Sequence, residues 1–185
     1  PMREKVLVAV SGGVDSAVAA ALLVRAGYDV TAVFLCLQRD SSCVARDAWC
    51  EGAVRTQDAQ RTTHDVSDAS DARQVASRLG IPFKVLSVAE EFSSIIDSFI
   101  EDYENGRTPN PCIRCNERVK FGRLFELADF VGARYVATGH YARVGDYHGQ
   151  PAITGAQATG KDQSYALFRL HRDWLSRVLF PVGDL

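Results

Sequence analysis

The stretch KVLVAVSGGVDS, residues 5–16, places an apolar run directly before two adjacent glycines. The run predicts a buried strand over 5–10, and the alanines and leucines that follow predict a helix over 16–26. Adjacent glycines let the backbone turn tightly and approach a ligand, and the first N–H groups of the helix then face that ligand. The segment therefore predicts a loop that binds phosphate. The alternative is a glycine turn that only joins the strand to the helix.

This loop differs from a Walker A loop, which ends in Gly-Lys-Ser/Thr and uses its lysine to reach the outer phosphates. No lysine occurs between Lys5 and Lys84. The SGGVDS stretch resembles instead the PP-loop ATP pyrophosphatases. That resemblance implies that the loop holds the pyrophosphate of ATP while the α-phosphorus is attacked, so that a substrate oxygen is adenylated.

The rest of the chain alternates apolar β-branched runs with stretches of helical period, which is typical of βα units. Further strands are predicted at 30–37, 83–88 and 134–138, and further helices at 67–79, 91–103 and 117–130. A polar, cysteine-bearing stretch, 38–66, predicts a long loop or insertion. The order predicts an α/β fold with a doubly wound, mainly parallel sheet, similar to the adenine nucleotide alpha hydrolases. A small C-terminal hairpin, 141–155, and a helix would follow it, and ligands would bind at the carboxyl ends of the strands.

Composition limits the class of protein. With 185 residues, 46% of them hydrophobic, the chain is expected to form one catalytic domain, 1–185. We expect a cytoplasmic protein without a membrane partner, because no apolar run is long enough to span a bilayer and no signal-peptide region is present. A net charge of −2 gives no overall attraction for DNA, although arginines between 107 and 123 allow a local phosphate-binding patch.

A second motif, GRTPNPCIRCNERVKF, occupies residues 106–121 and carries a Cys-x-x-Cys pair. Pro109 and Pro111 favour extended backbone, so we expect Cys112 and Cys115 on a stiff loop before a helix that begins near Asn116. Nearby positive charge and the helix N-terminus would lower the pKa of Cys115 and make it a nucleophile or metal ligand. The basic residues concerned are Arg114, Arg118 and Lys120.

Two other interpretations of the cysteine pair remain open. The cysteines could be small buried hydrophobic residues. They could also join Cys43 and Cys50 in a four-thiolate zinc site, although the spacing of that second pair does not match a zinc ribbon.

Taken together, the motifs resemble the tRNA-specific 2-thiouridylases, which form the 2-thio group of the wobble uridine in tRNAs for lysine, glutamate and glutamine. The matching segments are SGGVDS, GRTPNPCIRCN with VKF, ATGHYAR at 137–143, KDQSY at 161–165 and FPVGDL at 180–185. SGGVDS alone indicates only the PP-loop superfamily. The proline–cysteine loop followed by KDQSY is specific to the thiouridylases.

The resemblance implies a set of site residues. Those implied for ATP are Ala9, Val10, Ser11, Gly12, Gly13, Val14, Asp15, Ser16, Leu35 and Gly139. Those implied for the target base are Asn110, Pro111 and Cys112, and those for the rest of the tRNA are His140, Lys161, Asp162 and Gln163. Cys115 would be the nucleophile, with Cys112 beside it, and Asp15 would organise Mg²⁺. His140 could equally be a structural histidine, and Lys161 and Gln163 could belong to a solvated loop.

The chain also departs from the family pattern. Some members carry aspartate at the position of Cys112, whereas members with Cys-x-x-Cys are thought to hold a 4Fe-4S cluster with a third, downstream cysteine. The sequence ends at Leu185, so we expect the family's second catalytic cysteine and its central and C-terminal tRNA-binding domains to be absent.

The implied partners are the anticodon arm of tRNA and a sulfur-donor protein or sulfide source. One alternative is an ATP-binding module without turnover of its own. Another is a different PP-loop enzyme, such as a lysidine synthetase or an amidating ligase.

Overall fold

The computed structural model describes residues 3–37 and 63–185. Its first part contains β1 (Lys5–Ala9), α1 (Val14–Arg25), β2 (Asp29–Cys36), α2 (Thr63–Leu79), β3 (Phe83–Ser87) and α3 (Ala89–Glu104). Most of the predicted insertion, 38–66, lies outside the described residues. None of the helices in the described ranges is both long and apolar enough to cross a membrane.

The second part begins with α4 (Pro111–Arg114), a π-helix (Cys115–Gly122), α5 (Arg123–Val131) and β4 (Tyr135–Ala137). The hairpin β5 (Ala142–Tyr147) and β6 (Gln150–Gly155) follows, then 3₁₀ turns at Thr159–Lys161, Ser164–Ala166 and Arg172–Arg177, and finally β7 (Val178–Leu179). The predicted C-terminal hairpin is confirmed. The predicted C-terminal helix is replaced by these 3₁₀ turns, and β7 was not predicted.

Five strands form one sheet in the order β3-β2-β1-β4-β7, and every neighbouring pair is parallel. Successive β1 residues point to opposite faces. Leu7 packs with Phe125 of α5 and Ile95 of α3, whereas Val8 packs with Leu23 of α1 and Ala72 of α2. Helices therefore cover both faces, which confirms the doubly wound α/β fold.

The order of the strands decides where a ligand can bind. From β1 the chain builds outward to β2 and β3 on one side, and later to β4 and β7 on the other. The connections that leave β1 and β4 diverge at this switch point and open a crevice at the carboxyl ends of the two strands. The SGGVDS loop follows β1, and the segment Thr138–Gly139–His140 follows β4.

The cysteine motif folds differently from the prediction. The helix begins at Pro111, five residues before the expected start at Asn116, so Cys112 and Cys115 lie on helical backbone and not on an extended loop. Proline suits the first helical position because the N–H that it lacks would have no partner there. The Asn110 side chain caps this helix by accepting a hydrogen bond from the Cys112 N–H at 3.1 Å.

Candidate functional site

Hydrogen bonds between a serine side chain and the backbone hold the loop after β1. Gly12 adopts a φ of 85°, and Gly13 is the N-cap of α1. Ser16 Oγ accepts a hydrogen bond from the Ser11 N–H at 3.2 Å and donates one to the Gly13 carbonyl at 2.9 Å. The loop is thus held in one conformation at the helix N-terminus, where backbone N–H groups favour an anion.

A cavity of about 290 Å³ lies beside this loop. The predicted ATP residues that line it are Ala9, Val10, Ser11, Asp15, Ser16, Leu35 and Gly139. The glycine pair Gly12 and Gly13 and the 77%-exposed Val14 belong to the loop but not to the cavity wall. The cavity therefore brings together seven of the ten residues that the resemblance implied for ATP.

Other lining residues were not predicted to contact ATP. His140 and Gln163, which the resemblance implied for tRNA, line the same cavity. The residues that sequence reasoning missed are Phe34, Leu37, Lys120 and Thr138. Lys120 was named only for its charge near Cys115. Its position in the VKF segment of the cysteine motif was the one sequence signal that could have drawn attention to it.

Gly139 makes a close backbone contact. A Cβ atom at this position would lie 2.7 Å from the Ser16 nitrogen and 2.8 Å from the Asp15 carbonyl carbon. Real Cβ atoms do not approach backbone so closely, so only glycine lets the loop after β4 pack against the start of α1. Gly139 therefore fixes the separation of the two loops as well as lining the cavity.

His140 is half-buried and lines the cavity. Its Nδ1 lies 2.8 Å from Thr138 Oγ1, and its ring stacks on Phe121 with 6.1 Å between centroids. Burial, with the nearby charge of Lys120, lowers the pKa of His140 to about 4. The imidazole is therefore neutral at pH 7 and offers a hydrogen bond instead of a charge.

The segment 161–163, which was predicted to contact tRNA, is hydrogen-bonded to Tyr141. Lys161 Nζ lies 3.2 Å from the hydroxyl of Tyr141, which in turn lies 3.0 Å from Asp15 Oδ1. Gln163 Oε1 accepts the backbone N–H of Tyr141 at 3.0 Å.

The carboxylate of Asp162, between these two residues, also makes hydrogen bonds within the chain. It accepts hydrogen bonds from the Ser164 hydroxyl and the Ala156 N–H, both at 2.7 Å. These two bonds, that of Ser164 first, hold the pKa of Asp162 below its usual value. The geometry gives Asp162 the role of organising this loop.

The cysteines are free thiols with different exposure, Cys112 exposed and Cys115 partly buried at the start of the π-helix. Burial raises the pKa of Cys115, the neighbouring Cys112 raises it further, and Lys120 opposes both. The predicted lowering of this pKa is therefore wrong in its net direction, because sequence reasoning counted the charges but not the loss of water. Arg114 is engaged elsewhere, 3.5 Å from Asp102.

The described part of the chain holds no group of three or more His, Cys, Asp or Glu side chains able to bind a metal ion. Cys43 and Cys50, the other half of the alternative zinc site, lie outside the described residues. Asp15, with the hydroxyls of Ser11 and Ser16, supplies oxygen donors at the cavity, and these suit Mg²⁺ shared with phosphate oxygens.

The chain is similar to several known proteins. A tRNA-specific 2-thiouridylase MnmA from Rhodopirellula baltica is 43% identical over 97% of this chain and 49% of its own length. The protein of the same name from Cutibacterium acnes is 48% identical over 97% of this chain and 46% of its own. A solved structure of NMN synthetase from Francisella tularensis is 20% identical, with a TM-score of 0.44, over 74% of this chain and 45% of that one.

The chain thus spans about half the length of the curated relatives that it matches. The family described as tRNA methyl transferase HUP domain matches residues 4–185. With nearly the whole sequence matched and the phosphate loop, the switch-point cavity and the Cys-x-x-Cys helix all present, the chain belongs to the tRNA methyl transferase HUP domain family, among relatives that are tRNA-specific 2-thiouridylases.

Proposed function

We propose that this chain is the ATP-binding catalytic part of a tRNA-uridine 2-sulfurtransferase. It would adenylate the 2-carbonyl oxygen of the wobble uridine in tRNAs for lysine, glutamate and glutamine, and sulfur transfer would then give 2-thiouridine. One observation carries the proposal: Lys120, on the π-helix that begins at Cys115, lines the cavity beside the SGGVDS loop. The helix that bears the thiol would thereby form part of the proposed nucleotide site. Because tRNA is the proposed substrate, we place the reaction in the cytoplasm.

The lining of the cavity supports ATP binding. The phosphates would lie on the N–H groups of the loop 11–16, and the apolar side chains of Phe34 and Leu35 would face the adenosine. Lys120 brings a positive charge to the cavity, in the absence of a Walker lysine from the loop itself. Mg²⁺, held by Asp15 and phosphate oxygens, would neutralise charge on the leaving pyrophosphate.

The target base would approach from the segment Asn110, Pro111 and Cys112, which lies exposed or half-buried before Cys115. The uridine 2-oxygen forms a bond to the α-phosphorus as the bond to pyrophosphate breaks. Neutral His140 would serve by hydrogen bonding at this point, not by charge.

Sulfur transfer completes the reaction. The Cys115 thiolate would attack a persulfide on a sulfur-carrying cysteine, which forms a disulfide and releases hydrosulfide. Hydrosulfide would then displace AMP at C2 of the base. A sulfur-donor protein or a sulfide source is the second proposed partner.

An iron–sulfur cluster fits the described residues less well. Cys112 and Cys115 supply two thiolates, and within the ranges 3–37 and 63–185 no third His, Cys, Asp or Glu joins them in a metal-binding group.

Calorimetric titration with ATP tests the nucleotide site. Gly13→Val should abolish binding, because a branched side chain would occupy the space where phosphate meets the backbone. The free protein tolerates a Cβ there, since the nearest atom, Ser11 Oγ, is 3.5 Å away. Gly160→Val is the matched control, because a Cβ at Gly160 meets nothing within 4 Å. Unchanged ATP affinity in folded Gly13→Val protein would contradict the proposal.

A second experiment separates the two half-reactions. With ATP, Mg²⁺, a persulfide donor and tRNA, Cys115→Ser should still release pyrophosphate but should form no 2-thiouridine. Asp15→Ala should lose both, because adenylation would precede sulfur transfer. Pyrophosphate release that depends on Cys115 but not on Asp15 would contradict the assignment of the two residues.

A further inference from the structure

Tyr141 connects the nucleotide loop to the segment 159–166. Its hydroxyl lies 3.0 Å from Asp15 Oδ1 and 3.2 Å from Lys161 Nζ, and the same ammonium lies 4.8 Å from the centre of its ring. The side chain is only 8% exposed, although Asp15 itself is exposed at the first turn of α1. A buried tyrosine is thus hydrogen-bonded to an acidic side chain of the cavity.

The direction of these hydrogen bonds is determined by chemistry. A lysine ammonium carries three donors and no acceptor, so the Tyr141 oxygen accepts from Lys161. The single hydroxyl proton of Tyr141 is then left for the Asp15 carboxylate. Lys161 therefore makes Tyr141 a fixed donor to Asp15.

Tyr141 is itself held rigidly. Its backbone N–H donates to Gln163 Oε1 at 3.0 Å, and its carbonyl accepts from the Gln163 N–H at 2.8 Å. Its ring belongs to a small buried cluster with Ala19, Ala156 and Val182. A donor anchored in this way can hold a carboxylate that would otherwise rotate freely at the protein surface.

We propose that Tyr141 is a positioning residue of the nucleotide site, which holds the Asp15 carboxylate in the orientation that a magnesium–ATP complex requires. The inference rests on the proposed function, because it assumes that ATP binds at the SGGVDS loop. It gives Lys161 a role at the nucleotide site in addition to the tRNA contact that the family resemblance implied. Hydrogen-bond partners of metal ligands commonly change metal affinity by roughly 10- to 100-fold when they are removed.

The test is the Mg²⁺ dependence of ATP binding in the chain without RNA. Tyr141→Phe keeps the ring in its cluster and removes only the hydroxyl. We expect the Mg²⁺ concentration for half-maximal enhancement of ATP binding to rise roughly tenfold, while ATP affinity in EDTA stays unchanged. Tyr147→Phe is the control, because Tyr147 is 67% exposed on β5, away from the cavity lining.

A double substitution shows whether Tyr141 acts through Asp15. In an Asp15→Asn background, Tyr141→Phe should have no further effect on Mg²⁺ dependence. Additive effects, or an unchanged Mg²⁺ dependence in Tyr141→Phe, would overturn the role of Tyr141 while leaving ATP binding intact. An unsubstituted chain that binds no ATP would instead refute the proposed function, and this inference with it.

Discussion

Burial shifts the pKa values of Cys115 and His140 in opposite directions, although the charge of Lys120 lowers both pKa values. Loss of water disfavours the charged form, which is the thiolate of cysteine but the imidazolium of histidine. Burial therefore raises the pKa of Cys115 and lowers that of His140. At neutral pH both side chains are mainly uncharged, and Lys120 provides the positive charge at this wall of the cavity.

The first prediction concerns Lys120. Lys120→Met should raise the pKa of Cys115 further, because it removes the charge that stabilises the thiolate, so the pH profile of Cys115 alkylation should move to higher pH. Lys120→Arg should restore the profile, and Cys112→Ser should move it to lower pH. Peptide mass spectrometry can follow each thiol separately, since trypsin cleaves after Arg114, between the two cysteines. An unchanged profile in Lys120→Met would contradict this electrostatic account.

The second prediction concerns acid stability. The pKa of His140 is about 4 in the folded chain against an ordinary 6.5, so the unfolded chain binds the proton more readily between these values. The stability contributed by neutral His140 is complete above pH 6.5 and is lost as the pH falls towards 4. Denaturant unfolding should show a loss on the order of 3 kcal/mol over this window, and the loss should be absent in His140→Gln. An equal loss in both proteins would show that other groups cause it.

At the scale of elements, the strands and amphipathic helices were predictable because each buries a regular apolar pattern. The start of α4 was not, because Pro111 was taken as a helix breaker, whereas at the first helical position it is tolerated. β7 escaped prediction because two residues, Val178 and Leu179, carry no period of their own. Pairing with β4 makes them a strand.

The third prediction tests the contact between the loop after β4 and the start of α1. Gly139→Ala should destabilise the fold by about 1–3 kcal/mol and weaken ATP binding, because the added Cβ would push the backbone of Ser16 away. Gly160→Ala, where nothing lies within 4 Å of the added Cβ, should change neither quantity. Equilibrium unfolding and calorimetry measure the two effects. Equal behaviour of the two variants would contradict the packing role of Gly139.

At the scale of the whole molecule, sequence motifs predicted most of the residues around the cavity but not how they assemble. Lys120 and Tyr141 join it only through tertiary structure, from segments whose local patterns give no sign of a shared cavity. The family resemblance supplied Leu35, Gly139 and His140, which all line the cavity.

The fourth prediction is that ATP stabilises the entire fold, because its proposed site is lined by residues of β1 and β2 and by the segment that follows β4. At a free ATP concentration of 100 times the dissociation constant, the free energy of unfolding should rise by about 2.7 kcal/mol. Thermal unfolding with and without ATP measures the change, and Gly13→Val should show none. A similar gain in Gly13→Val would place ATP at a different site.

The hydrogen bond between Tyr141 and Asp15 also has a consequence for protein synthesis, because the two residues lie 126 positions apart in the chain. At roughly 5–20 residues per second, a ribosome takes roughly 6–25 s to pass from one to the other. For most of that interval the glycine loop has been made, but β4 and Gly139 have not, and Tyr141 is made after both. A nascent chain arrested before β4 should therefore fail to bind ATP, so the nucleotide can stabilise only chains whose synthesis has passed this point.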